Sequence, residues 1–328
     1  MNRVATLAGG LAVAVVGATV AAARSAAERI ERNPDPYPRD LLAREPEGEE
    51  VMIRRPDGTA LRAVVAGDGP TVVLAHGYAV ANWEWNVVCD ELTGRGYRVI
   101  TFDQRGHGRS TLGSDGIGSE PMAADYLAVL EHFDVHDGVL VGHSMGGFVA
   151  IRALLDHPQI ARRLRGLVLF ATWAGRIFEG APQNRLQIPM LEAGVLQQLT
   201  RTKTGGVLFG ASICGRQPSP AMISVFVERF NQHLQEHGPH VPLVRAFARE
   251  DRYPRLPEIT VPTVVMVGEA DRTTPRSHSR RLAAGIPRAR LVTVPDAGHM
   301  LNWEGADKLV EVIESLTGPG RATSDTNF

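Results

Sequence analysis

The chain is poor in the features that most often betray a cofactor, a metal or a nucleic acid. Among its 328 residues are two cysteines, Cys89 and Cys214, which stand alone. Neither a disulfide framework nor a Cys-based metal set can be built from them, and both read as buried packing residues. A dinucleotide fingerprint is missing, because the run Gly106-His107-Gly108-Arg109-Ser110-Thr111-Leu112-Gly113 lacks the G-x-G-x-x-G spacing, and there is no P-loop. His233 and His237 stand at helical i, i+4 spacing with His240 close by, but no Glu completes an H-E-x-x-H pattern. Charge of neither sign dominates: 35 basic and 36 acidic residues leave a net charge of −1, so nothing electrostatic argues for nucleic acid. Internal repeats and long low-complexity linkers are also missing. No cofactor, no metal and no nucleic-acid partner is therefore expected, while 44% hydrophobic residues suffice for one large catalytic domain with terminal extras.

What is present begins with Gly142-His143-Ser144-Met145-Gly146. An apolar run, Gly138 to Val141, precedes it, and a helix-like stretch, Gly147 to Leu155, follows. A strand, a sharp turn and a helix in that order push the serine outward, and glycines beside it admit a turn that a Cβ would obstruct. A serine hydroxyl needs a base, and the base needs an orienting group. Downstream, the apolar run Pro262 to Val267 ends in Gly268-Glu269-Ala270-Asp271, and Arg290 to Val294 leads to Pro295-Asp296-Ala297-Gly298-His299. Both candidates follow the carboxyl end of a predicted strand, where α/β sheets place their sites. Asp271 is the first choice of acid, with Glu269 and Asp296 as alternatives, although an Asp there could simply cap a helix starting near Thr274-Pro275. His299 is the first choice of base, with His76, His107 and His143 as rivals.

With His76-Gly77-Tyr78 after the strand Thr71 to Ala75, Asp103-Gln104-Arg105-Gly106-His107-Gly108 after the next, and the motifs above in order, the chain resembles the α/β-hydrolase superfamily. The likeness is to its serine-nucleophile, esterase/lipase-like branch (AB hydrolase-1 type) and covers roughly residues 50–317. The layout is similar to that of actinobacterial hydrolases with an Ala/Gly-rich amino-terminal segment. The resemblance implies a catalytic triad of Ser144, Asp271 and His299, and an oxyanion hole from the backbone N–H groups of Tyr78 and Met145. It gives His76, Gly77, Gly142, Gly146, Asp103 and Arg105 supporting roles in the elbow and loops. Its aspartate-nucleophile members, epoxide hydrolases and dehalogenases, are set aside because the elbow residue is Ser144.

The expected fold is α/β: an eight-stranded, mostly parallel sheet flanked by helices, with a helical cap insertion. Strands are predicted near 51–55, 61–66, 71–75, 97–102, 138–142, 166–171, 262–267 and 290–294, and helices near 84–94, 120–133, 146–157, 276–285 and 304–316. The catalytic domain spans 51–317. The cap occupies about 176–256, because some ninety residues separate two neighbouring strands, far more than one crossover helix needs. Its apolar residues (Ile177, Phe178, Ile188, Met190, Leu191, Val207, Leu208, Phe209, Phe226 and Phe230) suggest an apolar acyl or aromatic pocket, although ordinary packing of cap on core would account for most of them.

The amino terminus carries a separate signal. From Val4 to Ala23 no residue is charged, and as a helix the run would span about 30 Å. A cleaved signal ending near Ala21-Ala22-Ala23 would give a secreted protein. An uncleaved anchor is preferred, because the continuation from Arg24 to Arg32 is charged and helix-like; the protein would then be membrane-associated through residues 1–32. The side is left open, since Arg24, Arg29 and Arg32 argue for a cytoplasmic domain and a simple signal-anchor argues for the opposite. Residues 33–50 read as a Pro-rich spacer and 318–328 as a flexible tail.

These motifs imply a serine hydrolase acting on carboxylic esters with an apolar acyl or alcohol part, small or lipid-like. The same triad would also serve a cofactor-free perhydrolase (haloperoxidase type) or a C–C bond hydrolase. From another class comes a non-catalytic membrane-associated binding protein, against which the intact motifs argue.

Overall fold

The near-continuous apolar runs of the sequence lie side by side in one sheet. In the computed structural model, which describes residues 19–179 and 185–317, eight strands are ordered β1-β2-β4-β3-β5-β6-β7-β8. They are β1 (Glu49–Arg54), β2 (Ala60–Ala66), β3 (Thr71–Ala75), β4 (Arg98–Phe102), β5 (Gly138–His143), β6 (Leu164–Phe170), β7 (Thr263–Gly268) and β8 (Ala289–Val294). The hairpin β1–β2 joins β4 antiparallel, and every other pairing is parallel. β3, β5 and β7 are buried along their whole length, as strands covered on both faces must be.

Side chains alternate across this sheet and divide the core in two. Val72, Leu74, Val139, Val141, Val168 and Phe170 face one layer, while Val73, Leu140, Leu167, Leu169 and Val265 face the other. The helices are α1 (residues 19–30), α2 (Arg39–Ala43), α3 (Asn86–Gly94), α4 (Ser119–His132), α5 (Met145–Asp156), α6 (Gln187–Glu192), α7 (Val195–Thr200), α8 (Lys203–Ile213), α9 (Pro220–Glu236), α10 (Val241–Arg249), α11 (Arg276–Gly285), α12 (Leu301–Glu304) and α13 (Ala306–Thr317). α3 and α13 cover the first layer, and α4, α5 and α11 the second. This is the predicted α/β-hydrolase architecture, with each strand within two residues of its expected bounds. One helix differs: the stretch expected over 304–316 is two helices, because the chain turns out of the helix at Gly305 (φ −146°, ψ 32°).

Helices α6 to α10 lie between β6 and β7 and stand over the carboxyl edge of the sheet. Their starts obey capping chemistry: the Thr202 side chain accepts from the Gly205 N–H at α8, and Ser219 accepts from Met222 N–H ahead of Pro220 at α9. Residues 33–44 run between α9 and α3. The Asp35 carboxylate accepts from Ala221 N–H at 2.8 Å, and the Asn86 amide donates to the carbonyls of Leu41, Leu42 and Arg44.

The membrane expectation needs correction. Among the described residues no helix is long and apolar enough to cross a membrane. α1 carries Arg24, Glu28 and Arg29 within twelve residues, which suits solvent rather than hydrocarbon. Most of the uncharged run, residues 4–18, lies outside the described residues. The anchor, its membrane partner and the membrane-associated or secreted localisation built on it are therefore withdrawn.

Candidate active site

β5 ends at His143 and α5 begins at Met145, so Ser144 alone makes the turn, with φ +51° and ψ −116°. That conformation is strained for a residue with a Cβ and persists only where the surroundings over-determine it. Here they do. Ser144 N–H donates to Phe170 O at 3.0 Å, and its carbonyl accepts from Thr172 Oγ1 at 2.6 Å. The flanking glycines are required by contact: a Cβ on Gly142 would stand 2.6 Å from Gly147 Cα, and one on Gly146 would stand 2.3 Å from Ala75 O.

Two further loops bring their side chains to this turn. His299, in the loop after β8, accepts the Ser144 hydroxyl at Nε2 (3.0 Å) and donates from Nδ1 to Asp271 Oδ2 (3.0 Å). Its own N–H is anchored on Ile213 O at 2.7 Å. Asp271, after β7, accepts from the Thr273 and Thr274 amides at 2.8 and 2.9 Å and from Thr274 Oγ1 at 2.7 Å. Burial pushes the Asp271 pKa up, but the charge and hydrogen bond of His299 and the Thr274 donors outweigh it, leaving the carboxyl below its ordinary value. Ser144, Asp271 and His299 are each 6% exposed. A hydroxyl, a base and an acceptor-only carboxylate in this chain can move a proton from Oγ to Nε2 while the imidazolium that forms stays paired.

The remaining predicted residues surround that centre. Met145 opens α5, so its N–H has no carbonyl four residues back, and neither it nor Tyr78 N–H donates to a backbone acceptor among the described residues. Gly77 N–H is already committed to Glu84 Oε1 at 3.1 Å. His76 donates from Nδ1 to Gly77 O and accepts Gln104 N–H at Nε2, tying the β3 loop to the β4 loop. Asp103 accepts from the backbone of Asn82 and Arg109, and Arg105 grips Asp125 with two nitrogens at 2.6 and 2.7 Å. The alternative acids lie elsewhere: Glu269 is 3.8 Å from Arg276, and exposed Asp296 pairs with Arg216. Cys89 and Cys214 are buried free thiols whose pKa burial pushes up, which leaves them unreactive.

Glu84 is the residue that reading the sequence missed. Fully buried, its carboxylate holds Gly77 N–H and stands 3.0 Å from Nδ1 of His143, whose Nε2 lies 3.2 Å from His299 O. One side chain thus braces the β3 loop and, through His143, the loop that carries His299. A lone Glu in a 3-10 turn gives no sequence signal for such a role.

Above Ser144 and His299 lies a cavity of about 270 Å³, walled by Leu191, Leu196, Phe209, Phe226 and Phe230 of the cap and closed below by Tyr78 and Met300. Four of the apolar cap residues singled out from the sequence therefore line it. Ile177 packs into the second core layer instead, and the side chain of Ile188 lies outside the described residues.

Comparison with known proteins identifies the family and the fold. The sequence profile of the Alpha/beta hydrolase family matches residues 72–312. A non-heme haloperoxidase of Rhodococcus erythropolis is 29% identical over 283 residues, covering 80% of this chain and 99% of that protein. A 2-hydroxy-6-oxononadienedioate/2-hydroxy-6-oxononatrienedioate hydrolase of Paraburkholderia xenovorans is 30% identical over 284 residues, covering 80% and 92%. Among solved structures, an esterase from Exiguobacterium antarcticum superposes with a TM-score of 0.71 at 25% identity, covering 81% of this chain and 98% of that one.

Proposed function

The chain belongs to the alpha/beta hydrolase family, and from that premise we propose that it is a serine hydrolase cleaving carboxylic esters with an apolar acyl or alcohol part. The observation that carries this reading is the continuous path Asp271–His299–Ser144, 3.0 Å at each step, opening into an apolar cavity. Ser144 Oγ attacks the ester carbonyl as His299 Nε2 takes its proton, and Asp271 holds the Nδ1–H that fixes the tautomer. The backbone N–H groups of Met145 and Tyr78 receive the oxyanion; each such donor is worth about 3–4 kcal/mol to a transition state. The tetrahedral intermediate expels the alcohol, protonated by His299, and leaves an acyl-serine. Water, deprotonated by the same imidazole, then attacks the acyl carbon and releases the acid.

The similarity to a haloperoxidase supports a second reading, in which peroxide replaces water in deacylation, and similarity to a dienedioate hydrolase supports C–C cleavage. The test is turnover of p-nitrophenyl esters of increasing acyl length by the wild type and by Ser144→Ala. Hydrolysis that falls by about 10⁴-fold or more in a folded Ser144→Ala supports the serine route, and an optimum that moves to longer chains in Phe226→Ala places the acyl group in the cap cavity. Peracid formation from acetate and peroxide without ester turnover would favour the second reading, and cleavage of a vinylogous diketone alone the third.

A further inference from the structure

Where the cap rests on the loop after β4, three buried histidines meet, two from the cap and one from the core. His107 comes from the core loop, His233 from α9 and His240 from the turn before α10, with exposures of 0%, 5% and 8%. One ring nitrogen from each lies within 4.8 Å of the others, and this is the group of three metal-capable side chains found among the described residues.

Their hydrogen bonds are those of ligands rather than of packing residues. His107 donates from Nδ1 to Arg105 O at 3.1 Å, which fixes the tautomer and leaves the lone pair on Nε2; that Nε2 is buried without a partner. His240 donates from Nε2 to Gly106 O at 2.6 Å, leaving Nδ1 with its lone pair. A backbone carbonyl accepting one ring N–H while the other nitrogen keeps its lone pair is the usual support of a metal-binding imidazole. His233 has both ring nitrogens buried and unpartnered, an arrangement that costs free energy unless something satisfies it. Burial holds all three rings neutral, with His233 pushed down to about 2 by burial and by its histidine neighbours His240, His237 and His76. Neutral imidazole is the form that binds metal.

From this geometry we infer that His107, His233 and His240 form a binding site for one divalent transition-metal ion of the zinc class, pinning the cap to the core. Atoms no more than 4.8 Å apart lie within about 2.8 Å (4.8/√3) of a common point, against Zn–N bonds of about 2.0–2.1 Å. A contraction of under an ångström, within the reach of side-chain rotation, therefore completes a three-nitrogen set, with water as the fourth ligand of a tetrahedral ion. All-imidazole donors suit Zn²⁺, Ni²⁺, Co²⁺ and Cu²⁺ and disfavour Mg²⁺ and Ca²⁺. Tyr78 packs edge-on against His107 and His233 and its hydroxyl donates to Pro239 O, so the pin also steadies a residue that lines the substrate cavity. His237 is not among the three side chains whose nitrogens lie within 4.8 Å of one another, and its Nε2 meets Gly108 O. Reading the chain linearly finds only the pair on α9 and its neighbour; the third ligand comes from a glycine-rich core loop far upstream.

The test is calorimetric titration of untagged, chelator-treated full-length protein with Zn²⁺, with Co²⁺ absorption as a second readout. One equivalent per chain, a tetrahedral Co²⁺ spectrum and a raised Tm are expected. His233→Phe, which fills the same space without a nitrogen, and His240→Asn, which tolerates the left-handed backbone at that position (φ +42°), should each weaken binding at least 10-fold and abolish the Tm rise. His132→Ala and His136→Ala, at exposed histidines elsewhere, should change nothing. The far-UV circular dichroism of metal-free His233→Phe should match that of metal-free wild type, which confirms that the variant folds. No binding by the wild type, or binding unchanged in both cluster variants, overturns the assignment.

Discussion

Two groups of buried histidines, one at the proposed triad and one where the cap meets the core, differ in what their nitrogens meet. His299 has a partner at each ring nitrogen, Ser144 Oγ on one side and Asp271 on the other, and neighbouring His143 faces a carboxylate and a carbonyl. In the other group, His107 keeps one nitrogen without a partner and His233 keeps both. The first group is complete as folded and is built to pass a proton. The second keeps buried nitrogens without partners, which neither proton transfer nor packing explains. Burial alone therefore says little about a histidine's task; the inventory of partners around each nitrogen separates the two.

The sharpest way to break the contrast is to unpair His299. Asp271→Asn should lower kcat by about 10⁴-fold with the fold retained, because the amide stabilises the wrong tautomer; a loss of less than tenfold in ester turnover would remove Asp271 from the proposed triad. A smaller effect is expected one shell out. Glu84→Gln leaves Gly77 N–H an acceptor but weakens the contact to His143, at a cost of about 1–3 kcal/mol of stability by denaturant unfolding, with kcat falling more than KM rises.

The acid behaviour of the second group sharpens the comparison further. His76, His107, His233 and His240 all have pKa values lowered chiefly by burial. Unfolding raises each towards about 6.5, so below that pH the unfolded chain takes up protons that the folded chain refuses. Stability should thus be full above about pH 6.5 and fall as the pH drops, by at most about 1.4 kcal/mol per pH unit for each such histidine. His233→Phe should make that slope shallower by one proton between pH 6 and 4, read from urea midpoints. The Asp271 contribution, from a lowered carboxyl pKa, is lost only further down, as the pH falls below about 4.

Much of this was legible in order along the chain. Ser144 announces itself because a strand, a glycine-flanked turn and a helix are local, and Asp271 and His299 because each follows a strand at the sheet's carboxyl edge. The hydrophobic runs were enough to place the central strands, since a strand buried on both faces must be apolar throughout, while the exposed edge strands β1 and β8 were placed by the hairpin turn and by the order of motifs. The uncharged run near the amino terminus misled: residue count suggested a span, whereas the described helix that continues it is charged and none of the described helices is apolar enough to cross a membrane. Glu84 was invisible because its role depends on where His143 and Gly77 lie in space.

The amino-acid sequence by itself therefore determined the sheet, the elbow and the order of the three proposed catalytic side chains, because each depends on short-range patterns of turn, burial and chain direction. Only the tertiary structure decided which carboxylate reaches His299, which cap residues wall the cavity, that Glu84 braces two loops at once, and that His107 meets His233 and His240. Those are contacts between segments far apart in the chain, set by how the cap packs on the core, and no local pattern encodes a distance across that interface.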